Sequence, residues 1–579
     1  MTRFILLAAL LSASCSTARP APHTEADILA AVPAQWPHDI RAQPSQSSAA
    51  MVTTDAPLAT AVGLQVMRTG GNAVDAAIAT PFALAVVYPE AGNIGGGGFM
   101  VTRLADGTAA ALDFRERAPL AASRDMYLDA QGNLTDRSVL GHLASGVPGA
   151  VMGLWEAHRR FGTRPWAELI APAIVLAVDG FIVDDAFAGS LADAADRLGS
   201  FSGSAALLLP GGVPLAAGTH WRNPDLGRVL RRIADSGPAG FYEGETADLI
   251  VAEMQRGGGI ISHEDLRSYR AVWREPVQFD YRGHRVLSMP PASSGGIKLA
   301  IMANILEGYP LDRLGWHSHA ALHLTGEAMR RAFADRNHFL GDPDFVEFPR
   351  DMLVSQEYAD RLRDGIDRST ATPSASVRPG LGQTHEPENT THFSIVDPYG
   401  NAVALTTTIN ELYGSSVTVS GAGFLLNNEM DDFAAKPGAP NMFGLVHGQA
   451  NAIEPGKRML SAMTPTIVTD PRGNVLLGTG ARGGPRIITA VFQVISNVID
   501  YGMAVGAAVH APRVHHQHLP DILYYERDGL TPALLAELRA AGHTVEPRPT
   551  VGTAPTILRR GGVWTAVFDP RTGGSAAGF

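Results

Sequence analysis

The stretch Ala73 to Val87 (AVDAAIATPFALAVV) constrains the fold most, because it has helical character and is apolar on nearly every face. Such a helix has no solvent side and must be buried. A chain of 579 residues can supply the cover, since proteins of this size bury about three-quarters of their unfolded surface. Asn72, after Gly70-Gly71, is a natural N-cap for it, and Pro81 predicts a kink or split. With 45% hydrophobic and 18% charged residues, disorder is excluded as the main state. Length alone gives a prior of about four domains.

The 46 basic and 57 acidic side chains leave a net charge of −11, which argues against a nucleic-acid binder. Only three lysines occur (Lys298, Lys436, Lys457), so a catalytic or Schiff-base lysine is disfavoured. The single cysteine, Cys15, excludes a disulfide framework, a Cys-rich zinc site and an iron–sulfur cluster. Its position points to export. Residues 1–14 carry Arg3, an apolar run from Phe4 to Leu11 and then Ser12-Ala13-Ser14, a signal pattern too short to span a bilayer. Two readings stay open: a lipoprotein-type signal with Cys15 acylated, or an ordinary secretory peptide cut after Ala18. Leu11 sits one place early for the former, with Ser12 in its slot. The expected location is periplasmic or secreted, membrane-anchored if Cys15 carries lipid. Residues 15–48, with Pro20, Pro22, Pro33, Pro37 and Pro44, read as a tether, and the body is expected to start near Met51 with a helix-like segment.

A polar segment, Thr370 to Asn389, reads as an exposed mobile loop. After it the pattern changes: Thr391–Val396, the turn Asp397-Pro398-Tyr399-Gly400-Asn401 and Ala402–Ile409 read as strand, turn, strand. One face of the second strand holds only Ala402, Ala404, Thr406 and Thr408, leaving room for something else. Asn474–Gly480 reads as a strand entering Ala481-Arg482-Gly483-Gly484-Pro485, with helical spacing from Arg486 to Tyr501. A Gly-x-Ser-x-Gly elbow, a Walker loop and a His-Glu-x-x-His motif are all absent from the sequence. Gly95 to Gly98 read as a close backbone approach rather than a phosphate loop. His510, His515, His516 and His518 read as a packed or hydrogen-bonded cluster rather than a metal site, since no carboxylate pattern accompanies them and Arg513 would repel a cation.

The stretches GGNAVDAA (70–77), PEAGNIGGGGFM (89–100), DFRERAP (113–119), SGVPG (145–149), TTHFSIVD (390–397), GNAVALTTTIN (400–410), LLNNEMDDF (425–433) and GGPRIITAVFQ (483–493) together resemble the γ-glutamyltransferase family of N-terminal-nucleophile hydrolases. The resemblance runs from about Met51 to the C-terminus. It implies an α+β fold, a four-layer αββα sandwich formed jointly by two chains from one precursor. Cleavage between Asn389 and Thr390 would leave a large chain, 49–389, and a small catalytic chain, 390–579. Thr390 would be the nucleophile, its freed α-amine, with a reference pKa of about 7.7–8.0, serving as base.

The resemblance further assigns Thr408 to orienting the nucleophile and Gly483 and Gly484 to the oxyanion hole, where a strand-to-helix turn suits an anion. Pro485 replaces a usual hydroxyl residue; proline is at home in a first helical turn. Arg115 would clasp a donor α-carboxylate with help from Ser461 and from Ala462, which stands where a second serine is usual. Asp432, Glu429 and Asn410 would take the α-ammonium on the opposite side; the family carries Glu or Gln at Glu429. Residues 432–445 match a lid loop, with Phe443 where Tyr is common. The implied partners are glutathione or other γ-glutamyl compounds and amino-acid or peptide acceptors, with no metal or organic cofactor and no nucleic acid. Alternatives are a glutaryl-amide acylase of the same fold, a non-catalytic binding lipoprotein and a transporter-associated binding protein.

Overall fold

The computed structural model describes residues 24–377, 390–436 and 448–579. Two seven-stranded sheets lie face to face. The first runs, in spatial order, Ser575–Gly578, Met51–Thr54, Thr391–Val396, Ala402–Thr408, Gly97–Arg103, Ala109–Phe114 and Val272–Arg274. The second runs Ser45–Ser47, Val563–Val567, Thr556–Arg560, Val475–Thr479, Thr466–Thr469, His284–Ser288 and Val277–Tyr281. Pairing within both is antiparallel. Helices Pro57–Arg68, Ala73–Val87 and Ala150–Phe161 pack on the first sheet, and Gly295–Glu307 and Val505–His510 on the second. The result is the four-layer α+β sandwich, αββα. Each sheet takes strands from both sides of Thr390, so neither the preceding nor the following segment owns a complete sheet.

All of Ala73–Val87 is buried, with Asn72 and Asp75 forming a reciprocal capping box at its start. The helix is continuous through Pro81 rather than split. Packing on every side outweighs one missing N–H donor, because tertiary burial supplies most helical stability. The two faces of Ala402–Thr408 separate as the alternation demands. Val403 and Leu405 join the core that contains the buried helix, while Ala402 and Ala404 join Ile467 and Leu477 of the second sheet. The room left by the small residues is thus filled mainly by the opposing sheet, and only Thr408, at the strand end, lines a cleft.

The tether expected over 15–48 is corrected for its described part. Glu25–Ala31 is a helix with a Thr24–Asp27 capping box, Ser45–Ser47 is an edge strand paired with Val563–Val567, and Trp36 Nε1 donates to His510 O at 2.9 Å. The proline-free window between Pro22 and Pro33 permits the helix. The body's first element after it is a strand, Met51–Thr54, followed by the helix Pro57–Arg68. Residues 378–389 of the polar segment lie outside the described residues. Its beginning is tied down: Thr372 N donates to Glu327 at 3.0 Å and Ser374 N to Asp521 at 2.7 Å.

The close approach expected of Gly95–Gly98 is present: a Cβ on Gly96 would sit 2.1 Å from the Thr408 carbonyl oxygen. Among the described residues no helix is long and apolar enough to cross a membrane.

Candidate active site

Five strand ends meet at one end of the sandwich. Thr391 pairs with Thr407, so Thr390, one residue before its strand, faces Thr408, the last residue of the neighbouring strand. Arg115 follows the end of Ala109–Phe114 in the same sheet. In the second sheet Thr466 pairs with Thr479, which brings Ser461–Met463, just before one strand, beside Gly484, just after the other. The cleft they enclose is lined by Arg115, Thr390, Thr408, Asn410, Glu429, Asp432, Ser461, Ala462 and Gly484, joined by Arg336, Met463, Pro485 and Ile487. Gly483 is not among the lining residues. Thr390 is buried, at 5% exposure.

Local chemistry fixes these positions. Asn410 adopts a left-handed backbone (φ 73°), its N–H donates to Thr408 Oγ1 at 2.8 Å and its side chain to Asn428 O at 3.0 Å. Gly483 and Gly484 have φ of 126° and 55°, a turn that side chains resist. Pro485 caps the helix Arg486–Ile499 with helical dihedrals, and its absent N–H falls before the helix's own bonding begins. The Ser461 hydroxyl accepts from Met463 N at 3.1 Å. Behind the cleft Thr391 Oγ1 donates to Asp55 at 2.8 Å, and Arg482, next to Gly483, bonds the Tyr88 hydroxyl. Burial pushes Asp55 up to about 6, against the opposing effects of Arg482 and the Thr391 hydrogen bond.

The charges are not arranged as the sequence suggests. Arg115, 1% exposed, contacts the groups expected on the opposite wall: Nη1 lies 2.6 Å from Glu429 Oε2 and Nη2 pairs with Asp432. Glu116 Oε2 is a third neighbour at 3.5 Å. Charges taken out of water pair with one another, and here the nearest opposite charge is within the protein. Burial opposes the Arg115 charge, yet Glu429, Asp432 and Glu116 together hold its pKa above the ordinary value. Burial also raises the pKa of all three carboxyls, against the pull of Arg115.

A sequence model of the gamma-glutamyltranspeptidase family matches residues 59–579. The chain belongs to the gamma-glutamyltranspeptidase family. It is 46% identical over 558 residues to the glutathione hydrolase proenzyme of Escherichia coli strain K12, covering 96% of this chain and 95% of that protein. It is 49% identical over 484 residues to that of Pseudomonas sp. strain A14, covering 83% and 84%. The solved structure of cephalosporin acylase from Bacillus halodurans superposes with a TM-score of 0.82 at 29% identity, covering 94% of this chain and 98% of that one.

Sequence reasoning missed Arg336, which enters the cleft from the helix His319–Phe339 and is 1% exposed. Its only sequence signal is an arginine in a helix of mixed polarity, indistinguishable from a surface charge. Two expected residues, Asn389 and Phe443, lie outside the described residues, as does Cys15. Of the histidines, His518 N donates to His516 Nδ1 at 3.0 Å, while His510 Nδ1 contacts Asp39 O, His515 contacts Thr489 and Gln517, the His516 ring also contacts Asp521 and the His518 ring contacts Ser374 O. Among the described residues no group of three or more His, Cys, Asp or Glu could hold a metal ion.

Proposed function

We propose that this protein is a self-processing γ-glutamyltransferase and glutathione hydrolase, cut between Asn389 and Thr390 into a large and a small chain. The observation that carries the reading is the single cleft where Thr390, Arg115, Asp432 and Gly484 meet. In the cleaved protein the Thr390 hydroxyl attacks the γ-carbonyl carbon and its proton passes to the Thr390 α-amine. The tetrahedral oxyanion forms beside the Gly483–Gly484 turn at the helix N-terminus. As the C–N bond breaks, the proton goes to the departing amine and a γ-glutamyl-Thr390 ester remains. Water, an amino acid or a peptide then attacks the ester and restores Thr390.

A zwitterionic donor suits the charge cluster. Its carboxylate replaces Asp432 at Arg115, and its ammonium takes the released Asp432, so every buried charge stays paired. A glutaryl donor, the substrate class of the acylase alternative, has no ammonium to offer Asp432, which favours the γ-glutamyl reading. The signal pattern of residues 1–14 supports export to the periplasm or beyond, with Cys15 lipidated or removed with the signal.

The test is denaturing electrophoresis followed by a γ-glutamyl-anilide assay. Wild type should give two bands, the smaller from residues 390–579 and about a third of the 61.1 kDa total. Thr390→Ala should give one band and no activity. A wild type that remains one band would overturn the mechanism.

A further inference from the structure

Arg336 lines the same cleft as Thr390 and Asp432 although it comes from a distant helix of the other segment. Its Nε donates to Ser294 Oγ at 3.3 Å, and Ser294 Oγ in turn donates to the Ser461 carbonyl at 2.8 Å. A buried guanidinium tied to the Ser461 wall is thereby fixed in place rather than free to follow a ligand. We propose that Arg336 is a positioning residue that keeps Asp432 an anion when a donor's carboxylate takes Arg115 away from it. The inference rests on the γ-glutamyl reading given above.

The charge balance explains the need. Asp432 shares the cleft with Arg115, Glu429 and Arg336, and Glu116 contacts Arg115 beside them. Burial favours its neutral form, while Arg115 and Arg336 favour the ionised one. Once Arg115 is engaged by a carboxylate, Arg336 is the cation among these four groups still able to support the Asp432 charge. A neutral Asp432 would offer an ammonium only a weak, uncharged acceptor. Arg336 should therefore govern selection of donors that carry an α-ammonium, without taking part in bond making at Thr390.

The experiment compares wild type, Arg336→Gln and Arg336→Lys with a γ-glutamyl and a glutaryl anilide across pH 5–9. Chain processing reports that each variant folds. For Arg336→Gln, KM for the γ-glutamyl anilide should rise roughly tenfold with kcat changed less than about threefold, and glutaryl turnover should hardly move. The acid limb of the γ-glutamyl to glutaryl turnover ratio should move to higher pH, because without the cation Asp432 ionises only at higher pH, whereas the Thr390 amine titrates in both reactions. Arg336→Lys keeps the charge and should keep both the substrate ratio and the limb. A wild type inactive on the γ-glutamyl anilide overturns this inference together with the reading beneath it. An active wild type beside an Arg336→Gln enzyme with unchanged ratio and limb overturns the Arg336 role alone. A lysine variant that loses the ratio also overturns it, whether or not the glutamine variant folds.

Discussion

Two buried charge clusters in this protein have opposite designs. Near the C-terminus, Arg513 and Arg571 meet Glu526 and Asp569. Arg571 grips Glu526 with two bonds of 2.6 and 2.7 Å and Asp569 with one of 3.1 Å, while Arg513 reaches Asp569 at 2.8 Å. Backbone N–H groups of Arg513, Val551 and Ala554 complete the carboxylates. Two cations face two anions; although burial opposes it, the arginines hold Asp569 well below the usual carboxylate range. At the cleft, three carboxyls crowd Arg115 and all are pushed upward. The first cluster is satisfied within itself and fastens the 552–571 segment to the body. The second is over-supplied with carboxyls, which is what a site built to receive another cation requires.

Substitutions should separate the two clusters. The largest effect is expected from Arg571→Met, which strands Glu526 and half of Asp569 in the interior. Chemical denaturation should show a loss of about 3–5 kcal/mol, and a loss under about 1 kcal/mol would erase the distinction. Arg115→Gln should behave differently, since its carboxyl neighbours can take up protons. Near pH 5.5 its stability should change by less than about 1 kcal/mol, while KM for a γ-glutamyl anilide rises roughly thirtyfold. An unchanged KM would remove Arg115 from the donor site.

The effect of Glu116→Gln depends on pH, and its sign is opposite. Burial, against the pull of Arg115, pushes Glu116 up to about 7 in the folded protein. Its ionisation therefore costs stability, a penalty absent below the unfolded pKa of about 4.5, growing as pH rises and complete above about 7. Relative to wild type, Glu116→Gln should gain up to about 3 kcal/mol at pH 8 and nothing at pH 4. Equal offsets at both pH values would show that Glu116 does not titrate in this window.

Much of the cleft was legible because its residues sit in short local patterns. The strand–turn–strand around Asp397-Pro398-Tyr399-Gly400-Asn401 follows from turn chemistry: Gly400 has φ 94° and Asp397 accepts from Tyr399 N and Asn401 N. The Asn72 cap and the turn before Arg486 are equally local. The helix at Glu25–Ala31 was hidden because a proline-rich average masks a short proline-free window with its own cap. Pro81 does not split its helix for the converse reason, a local penalty overridden by burial on all sides.

By itself the sequence determined the buried helix, the paired strands that set Thr390 against Thr408, and the glycine turn at 483–484, because hydrophobic period, capping and backbone freedom act over a few residues. Only the tertiary structure decided that Arg115 touches Asp432 across 317 residues of chain, that Arg336 enters the cleft, and that Gly483 stays behind its lining. Charge pairing in a dry interior depends on which groups the fold brings within a few ångströms, and no local pattern encodes that distance.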